Sequence, residues 1–293
     1  MSKIAFIYPG QGAQVCGMGQ DFYEQTKEGK ETFDLATDIL GFSVPELCFT
    51  ENDRLDITEY TQAAMVTTSI AMTKVLEEKG VKPDVTAGLS LGEYCALYAA
   101  GVMSEKDAIA TVRQRGILMQ QAVPAGQGAM AAVLAMDAAA IEETIADIDG
   151  VQIANYNCPG QIVISGSIEG INKACELMKA AGAKRALPLK VGGAFHSPLM
   201  NPAKVELEAA INATEIHAPK CPVYQNVDAM PHTDPVEIKK NLVAQLTASV
   251  RWTQTVKNMV ADGATDFTEC GPGAVLQGLI KKIAPEATAH GIA

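Results

Sequence analysis

The sequence predicts an α/β protein in which one strand-and-helix domain is interrupted by a smaller α+β unit. Three observations carry that reading. The stretch VTAGLSLGEY, residues 85–94, passes from a buried-strand pattern to a helical one with a serine at the join. Between residues 128 and 189 the pattern runs strand, helix, strand, strand, helix, strand. Beyond residue 222, strands and helices alternate once more. With 293 residues and 48% hydrophobic content, the chain can bury a large core and more than one structural unit.

The elements follow in order. Residues 3–8, KIAFIY, read as a strand that ends at Pro9-Gly10, and the loop PGQGAQVCGMG follows. That loop fails the dinucleotide fingerprint, because G-x-G-x-x-G counted from Gly10 needs glycine where Val15 stands. Residues 58–79 form a long helix. Residues 85–89 make a short buried strand, and 91–100 an Ala- and Leu-rich helix ended by Gly101. Ser90 sits between them, as in a nucleophile elbow, and the small Gly88 and Gly92 let the backbone bend sharply. Ser104 supplies a cap, and Glu105 and Asp107 put acids in the first turn of a helix running to about Ala122.

The rhythm changes after Pro124-Ala-Gly126. A strand (128–136), a helix opened by Asp137, strands 151–155 and 161–165, a helix (169–181) and a strand (183–189) give the β-α-β-β-α-β order of a ferredoxin-like unit. Pro124 on one side and Val191-Gly192-Gly193 on the other look like hinges. The expected domains are therefore 1–124 with 193–293, and an inserted 125–192. Strands at 222–225 and 265–269 and helices at 234–248, 251–262 and 273–283 complete the larger domain.

Composition narrows the function. The net charge of −11 argues against non-specific nucleic-acid binding, and it requires any acidic partner to find a local basic patch. No apolar run is long enough to span a bilayer, and residues 4–8 are too few for a signal peptide. The seven cysteines are scattered without a C-x-x-C pair, which argues against zinc or a disulfide framework and for a reducing cytoplasm.

A serine nucleophile needs a base, and the chain has four histidines. His290 falls in the C-terminal tail, His232 in the loop PHTDP, and His217 before Ala-Pro; all three read as surface residues. His196 differs, because in VGGAFHSP it stands just before a helix start marked by Ser197 and Pro198. A helix N-terminus disfavours charge on a neighbouring imidazole, and neutrality suits a base. No acid between Ser90 and His196 announces itself as the third member of an esterase triad. Arginine is scarce, and two arginines share the helix TVRQRGILMQ; the apolar neighbours of Arg113 and of Arg115 at helical spacing do not choose between them. Either guanidinium could receive a carboxylate through its planar fork.

Six ordered motifs then stand together: PGQGAQ, GLSLGEY, R-G-x-x-M-Q, NYNCPGQIVISG, GAFHSPLM and ECGPGAVLQGLIKK. In these motifs, which span nearly the whole chain, the sequence resembles the malonyl-CoA:acyl carrier protein transacylases of bacterial fatty acid synthesis. The resemblance implies an α/β-hydrolase-like core with a parallel sheet and an inserted ferredoxin-like subdomain. It also implies that Ser90 is the nucleophile and His196 the base, and that Arg115 is the clamp for the malonyl carboxylate. The backbone N–H groups of Gln11 and Leu91 are implied as the oxyanion hole, and the main-chain carbonyl of Gln245 as the group that orients the histidine. Asn155 falls near the site. Phe195 lies in the A-F-H version associated with malonyl rather than methylmalonyl selection, and its bulk would leave little room for an α-methyl. One departure stands out, since Leu89 replaces the histidine the family usually has before the nucleophile.

The implied reaction moves malonyl from malonyl-CoA to serine, then to the phosphopantetheine thiol of acyl carrier protein, with no metal or bound cofactor. A serine thioesterase or esterase, with water as acceptor, is the competing reading. Lys184, Arg185 and Lys190, near the return of the inserted unit, are the candidate cations for an acidic carrier protein.

Overall fold

The computed structural model describes residues 2–123, 126–189 and 191–292; Pro124 and Lys190, used above as a hinge and a docking cation, lie outside the described residues. In chain order the strands are β1 (Lys3–Tyr8), β2 (Val85–Gly88), β3 (Gly128–Leu134), β4 (Gln152–Cys158), β5 (Gln161–Ser167), β6 (Arg185–Pro188), β7 (Val223–Tyr224), β8 (Pro231–His232), β9 (Ala264–Glu269) and β10 (Thr288–Gly291). They form two sheets.

The larger sheet has the order β10-β9-β1-β2-β7-β8. Its pairs are parallel except for the antiparallel β7–β8 pair, so the sheet is mixed. β1 and β2 lie at its centre, and their near-continuous apolar runs are what strands covered on both faces require. Registers such as Ala5↔Val85 and Tyr8↔Gly88 bring the carboxyl ends of β1 and β2 level. The loop after β1 and the serine turn after β2 therefore open side by side at the sheet's edge. In open α/β sheets that is where ligands bind.

The helix Thr58–Glu78 packs in the interior and is buried at nearly every position from 61 to 73. It carries many threonines for so buried an element. Thr67 and Thr73 donate their hydroxyls to the carbonyls of Ala63 and Ser69, one turn back, and Thr61 does so to Ile57 and Leu55. The hydroxyls of these three are thus satisfied without water, while that of Thr68 has no partner among the described residues.

The smaller sheet is wholly antiparallel, in the order β4-β5-β3-β6, with the helices Ala138–Ile145 and Ile168–Ala180 in the connections. Val133, Ile153 and Ile164 from the sheet and Ile141 and Ile171 from the two helices make a hydrophobic core of its own. It is stitched to the larger sheet's side through the segment after the helix Pro235–Ala244: Val250 N–H donates to Ala154 O and Tyr156 N–H to Val250 O.

Some elements differ from the sequence reading. Helices Gln20–Gln25, Lys27–Leu40 and Val44–Phe49 fill a stretch to which no element was assigned. Residues 288–291, read as a tail, form the edge strand β10 against β9. The helix expected directly after His196 begins as a short 3-10 turn, Pro198–Met200, and becomes α-helical only over Asn201–Ala213. All seven cysteines are free thiols.

Candidate active site

The serine turn behaves as its glycines suggest. Ser90 has φ 54, a left-handed conformation that costs a non-glycine residue about 1–2 kcal/mol. A Cβ on Gly88 would lie 1.9 Å from the Gly92 carbonyl carbon, and one on Gly92 would lie 2.1 Å from the Tyr8 carbonyl oxygen. The turn can fold back on itself only because Gly88 lacks a side chain, and it can pack against β1 only because Gly92 does. His196 is also left-handed, at φ 55. Two of the four non-glycine residues with positive φ among the described residues are thus this serine and this histidine.

The two meet directly. Ser90 Oγ is 2.7 Å from His196 Nε2, and His196 Nδ1 is 3.0 Å from the Gln245 carbonyl oxygen. A carbonyl can only accept, so Nδ1 carries the proton, Nε2 is the acceptor, and Ser90 donates to it. Burial, and after it the charge of Arg115, lowers the His196 pKa to about 4. The sequence reading gave the helix terminus as the cause of neutrality. Desolvation and the guanidinium account for it instead, and the intervening 3-10 turn keeps the helix proper one turn further along.

Arg115, 1% exposed, lies on the same side. Its Nη2 donates to Ser90 Oγ and to Gln245 Oε1, each at 3.1 Å, and its Nη1 donates to Gln62 Oε1 at 2.8 Å. Its Nε has no partner, and among the described residues no carboxylate lies within ion-pair distance of the guanidinium. The other candidate arginine faces elsewhere: Arg113 pairs with Glu59 at 2.9 Å, donates to the Glu59 carbonyl and stacks over Tyr60. The structure thereby separates two residues that periodicity left equivalent.

These groups open into a cavity of about 410 Å³. Gln11, Leu91, Asn155 and Phe195 line it together with Ser90, Arg115 and His196. Neither the Gln11 nor the Leu91 N–H has an intramolecular acceptor among the described residues. Leu89 contributes an apolar patch, and Met130, Val163 and Leu189 add a wall from the smaller sheet. The cavity thus lies between the two sheets, with Ser90 on the larger sheet's side and Asn155, Asn157 and Gln161 adding polar groups from the smaller one.

Other predicted residues stand outside it. Lys184 and Arg185 are exposed at the β6 edge, and the side chain of His217 is exposed beside Glu215. His232 is not the surface residue expected. Its side chain is only 13% exposed and sits between Asp228 and Glu237. Four neighbours of the site escaped the sequence reading: Gln62 on Arg115, Gln152 donating to the His196 carbonyl, and the pair Asn226 and Glu93 behind Ser90. An acid in the first turn after G-x-S-x-G was the one available signal.

Residues 5–289 match the sequence family described as the acyl transferase domain. A malonyl CoA-acyl carrier protein transacylase of Bacillus subtilis is 49% identical over 288 residues, 97% of this chain and 91% of that protein. The similarly named protein of a Staphylococcus aureus strain is 44% identical over 97% of this chain and 93% of its own length. Among solved structures, an acyl carrier protein S-malonyltransferase from Vibrio cholerae superposes with TM-score 0.97 at 44% identity, covering 99% of this chain and 97% of that one. A malonyl-transacylase in complex with a type II PKS acyl-carrier protein gives TM-score 0.96 at 40% identity, covering 99% and 96%. A serine elbow, a neutral histidine and a buried arginine in one cavity, on a chain alike over nearly its whole length, lead to one assignment: the chain belongs to the acyl transferase domain family, among the malonyl CoA-acyl carrier protein transacylases.

Proposed function

We propose that this protein transfers malonyl from malonyl-CoA to the phosphopantetheine thiol of acyl carrier protein through a malonyl-serine ester. The observation that carries the reading is Arg115: a buried cation that, among the described residues, has an unpartnered Nε and no carboxylate within ion-pair distance, in contact with the Ser90 hydroxyl. A substrate whose acyl group ends in a carboxylate supplies what the site lacks.

In the first half-reaction Ser90 Oγ attacks the thioester carbonyl carbon and its proton passes to His196 Nε2. The Gln11 and Leu91 N–H groups receive the developing oxyanion. The C–S bond breaks, and His196 returns the proton to the departing thiolate, releasing CoA. In the second, the carrier thiol gives its proton to His196 and attacks the ester carbonyl. The C–O bond breaks, and the proton goes back to Ser90 Oγ. The Gln245 carbonyl keeps Nδ1–H in place throughout, so a dyad suffices and no acidic third member is needed. Phe195 and Asn155 line the same cavity, where the bulk of Phe195 would leave little room for an α-methyl. The reaction needs no metal or bound cofactor.

The same reading covers the architecture. Residues 1–124 and 193–293 form an α/β-hydrolase-like core, and 125–192 a ferredoxin-like subdomain, supported by its strand order β4-β5-β3-β6. A cytoplasmic location fits the reduced cysteines, and no helix among the described residues is long and apolar enough to cross a membrane.

Intact mass after mixing with malonyl-CoA tests the proposal. One malonyl should add to the protein, map to Ser90, and leave on addition of holo carrier protein. Free malonate released at the same rate without carrier protein would make the protein a hydrolase instead.

A further inference from the structure

Behind the nucleophile lies a polar chain that the reaction just described does not use. Glu93 follows Ser90 by one helical turn and is fully buried. Its Oε2 accepts the Asn226 backbone N–H at 2.7 Å, and its Oε1 accepts Gln225 Nε2 at 3.1 Å. Asn226 is itself fully buried. Its Oδ1 accepts the Ser90 N–H, and its Nδ2 donates to the Gly88 carbonyl, both at 2.6 Å. Only one orientation of the amide satisfies both contacts, because one neighbour is a donor and the other an acceptor.

This side chain therefore bridges the last residue of β2 and the nucleophile across the bend. Ser90 is left-handed, and such a residue keeps its geometry only where its surroundings over-determine it. The Ser90 carbonyl is already held by Gln245 Nε2 and the Glu93 N–H. The Ser90 N–H is held by Asn226 alone among the described residues. Two further bonds lock Asn226: Arg251 N–H donates to its carbonyl, and the Glu93 carboxylate takes its N–H. A carboxylate buried this deeply is costly, and burial raises its pKa to about 7; donors to both oxygens offset part of that cost.

We propose that Asn226, held by Glu93, is a positioning residue for the nucleophile: it sets the backbone of Ser90 so that Oγ falls between His196 Nε2 and the oxyanion donors. Neither residue lines the cavity. The inference rests on the reading of Ser90 as nucleophile.

The test is single-turnover malonyl loading, with circular dichroism and thermal melting on the same samples. Asn226→Ala should stay folded, slow loading by about 100-fold, as small misplacements of reacting groups do, and leave the KM for malonyl-CoA within about 3-fold. Labelling of Ser90 by a fluorophosphonate, which carries no carboxylate for Arg115, should slow in parallel. Asn226→Asp keeps the acceptor for Ser90 N–H but sets an oxygen against the Gly88 carbonyl, so it too should slow loading. If the alanine variant does not fold, Asn226→Asp and Glu93→Gln carry the test. Folded variants that load and label at the parent rate, with only a lowered melting temperature, would reduce the pair to structural filling and overturn the proposal. Ser90→Ala run alongside separates the two readings: retained loading there removes the nucleophile, whereas abolished loading with a normal Asn226→Ala removes only the positioning role.

Discussion

Arg115 Nη2 donates to Ser90 Oγ at 3.1 Å, so the guanidinium and the serine hydroxyl are in direct contact. A carboxylate bound at the guanidinium then lies within one short acyl chain of the serine. Malonyl should be loaded in preference to acetyl, because acetyl leaves a desolvated guanidinium short of a counter-charge, a loss of roughly 2–5 kcal/mol. Gln62 and Gln245 already accept from both terminal nitrogens, which points to the lower end, about 2 kcal/mol or roughly 30-fold. Arg115→Ala should abolish that ratio in competition assays. Arg113→Ala should leave it intact, since Arg113 is engaged by Glu59.

Ser90→Ala should eliminate loading, and His196→Ala should slow both half-reactions by about 10²–10⁴-fold. Quenched-flow measurement of each half-reaction checks this. An effect of His196→Ala on the second step alone would contradict a single shared base.

The acid limb of loading should lie well below the ordinary imidazole value of 6.5. Burial, then Arg115, lowers the His196 pKa to about 4, so the base remains neutral as pH falls through 6.5. A kcat/KM profile for malonyl-CoA that drops at 6.5 would contradict this. The same depression has a sign for stability. Unfolded imidazole takes up protons between pH 6.5 and about 4 while the folded one does not. The contribution is therefore complete above 6.5 and is lost as pH falls towards 4. Melting temperatures of His196→Ala should show a shallower acid decline over that window.

Gly92→Ala should be among the most destabilising single methyl additions in the chain. The new carbon would meet the Tyr8 carbonyl oxygen at 2.1 Å, and backbone on both sides cannot retreat cheaply. A loss of about 3 kcal/mol or more is expected, read as a lowered melting temperature. An unchanged melting curve would mean the elbow is not packed on β1 as described.

Charge reversal at Lys184 and Arg185 should raise the KM for acyl carrier protein and leave loading from malonyl-CoA unchanged. Both are exposed on the β6 edge, and Leu189, further along the same segment, lines the cavity. At about 3.3 Å per residue, Arg185 stands roughly 13 Å from Leu189, outside the acyl pocket. Equal losses in both half-reactions would indicate damage to the fold.

The elbow was legible because its cause is local: glycines at 88 and 92, a strand before the serine and a helix after it. The histidine that meets Ser90 was legible by its setting among four histidines, since His196 stands just before the helix-start residues Ser197 and Pro198. The order of the small sheet's elements was equally plain, since each strand is bounded by turn residues. The choice of Arg115 over Arg113 needed the resemblance, because both have apolar neighbours at helical spacing and only the fold decides which one faces Ser90. Asn226 and Glu93 were out of reach. Glu93 looks like any first-turn acid, and its burial follows from β7 and the segment after it closing over the helix from far along the chain. Between residues 20 and 49 two of the three helices are only six residues long, whereas Lys27–Leu40 carries the ordinary signals, a Thr26 cap and a left-handed Gly41 stop, and was legible in principle.

The central strand β1 has neighbours drawn from widely separated parts of the sequence: Ala5 lies beside Val85 and Phe267. During synthesis, β1 has no partner on its β9 side until the strand Ala264–Glu269 has emerged. Its apolar edge must wait through the whole production of the smaller sheet, whose antiparallel strands can pair among themselves. Assembly of the larger sheet is accordingly a late event with high contact order, exposed meanwhile to aggregation. A nascent chain stalled before residue 264 should hold a protected smaller sheet while β1 remains open to protease or chaperone.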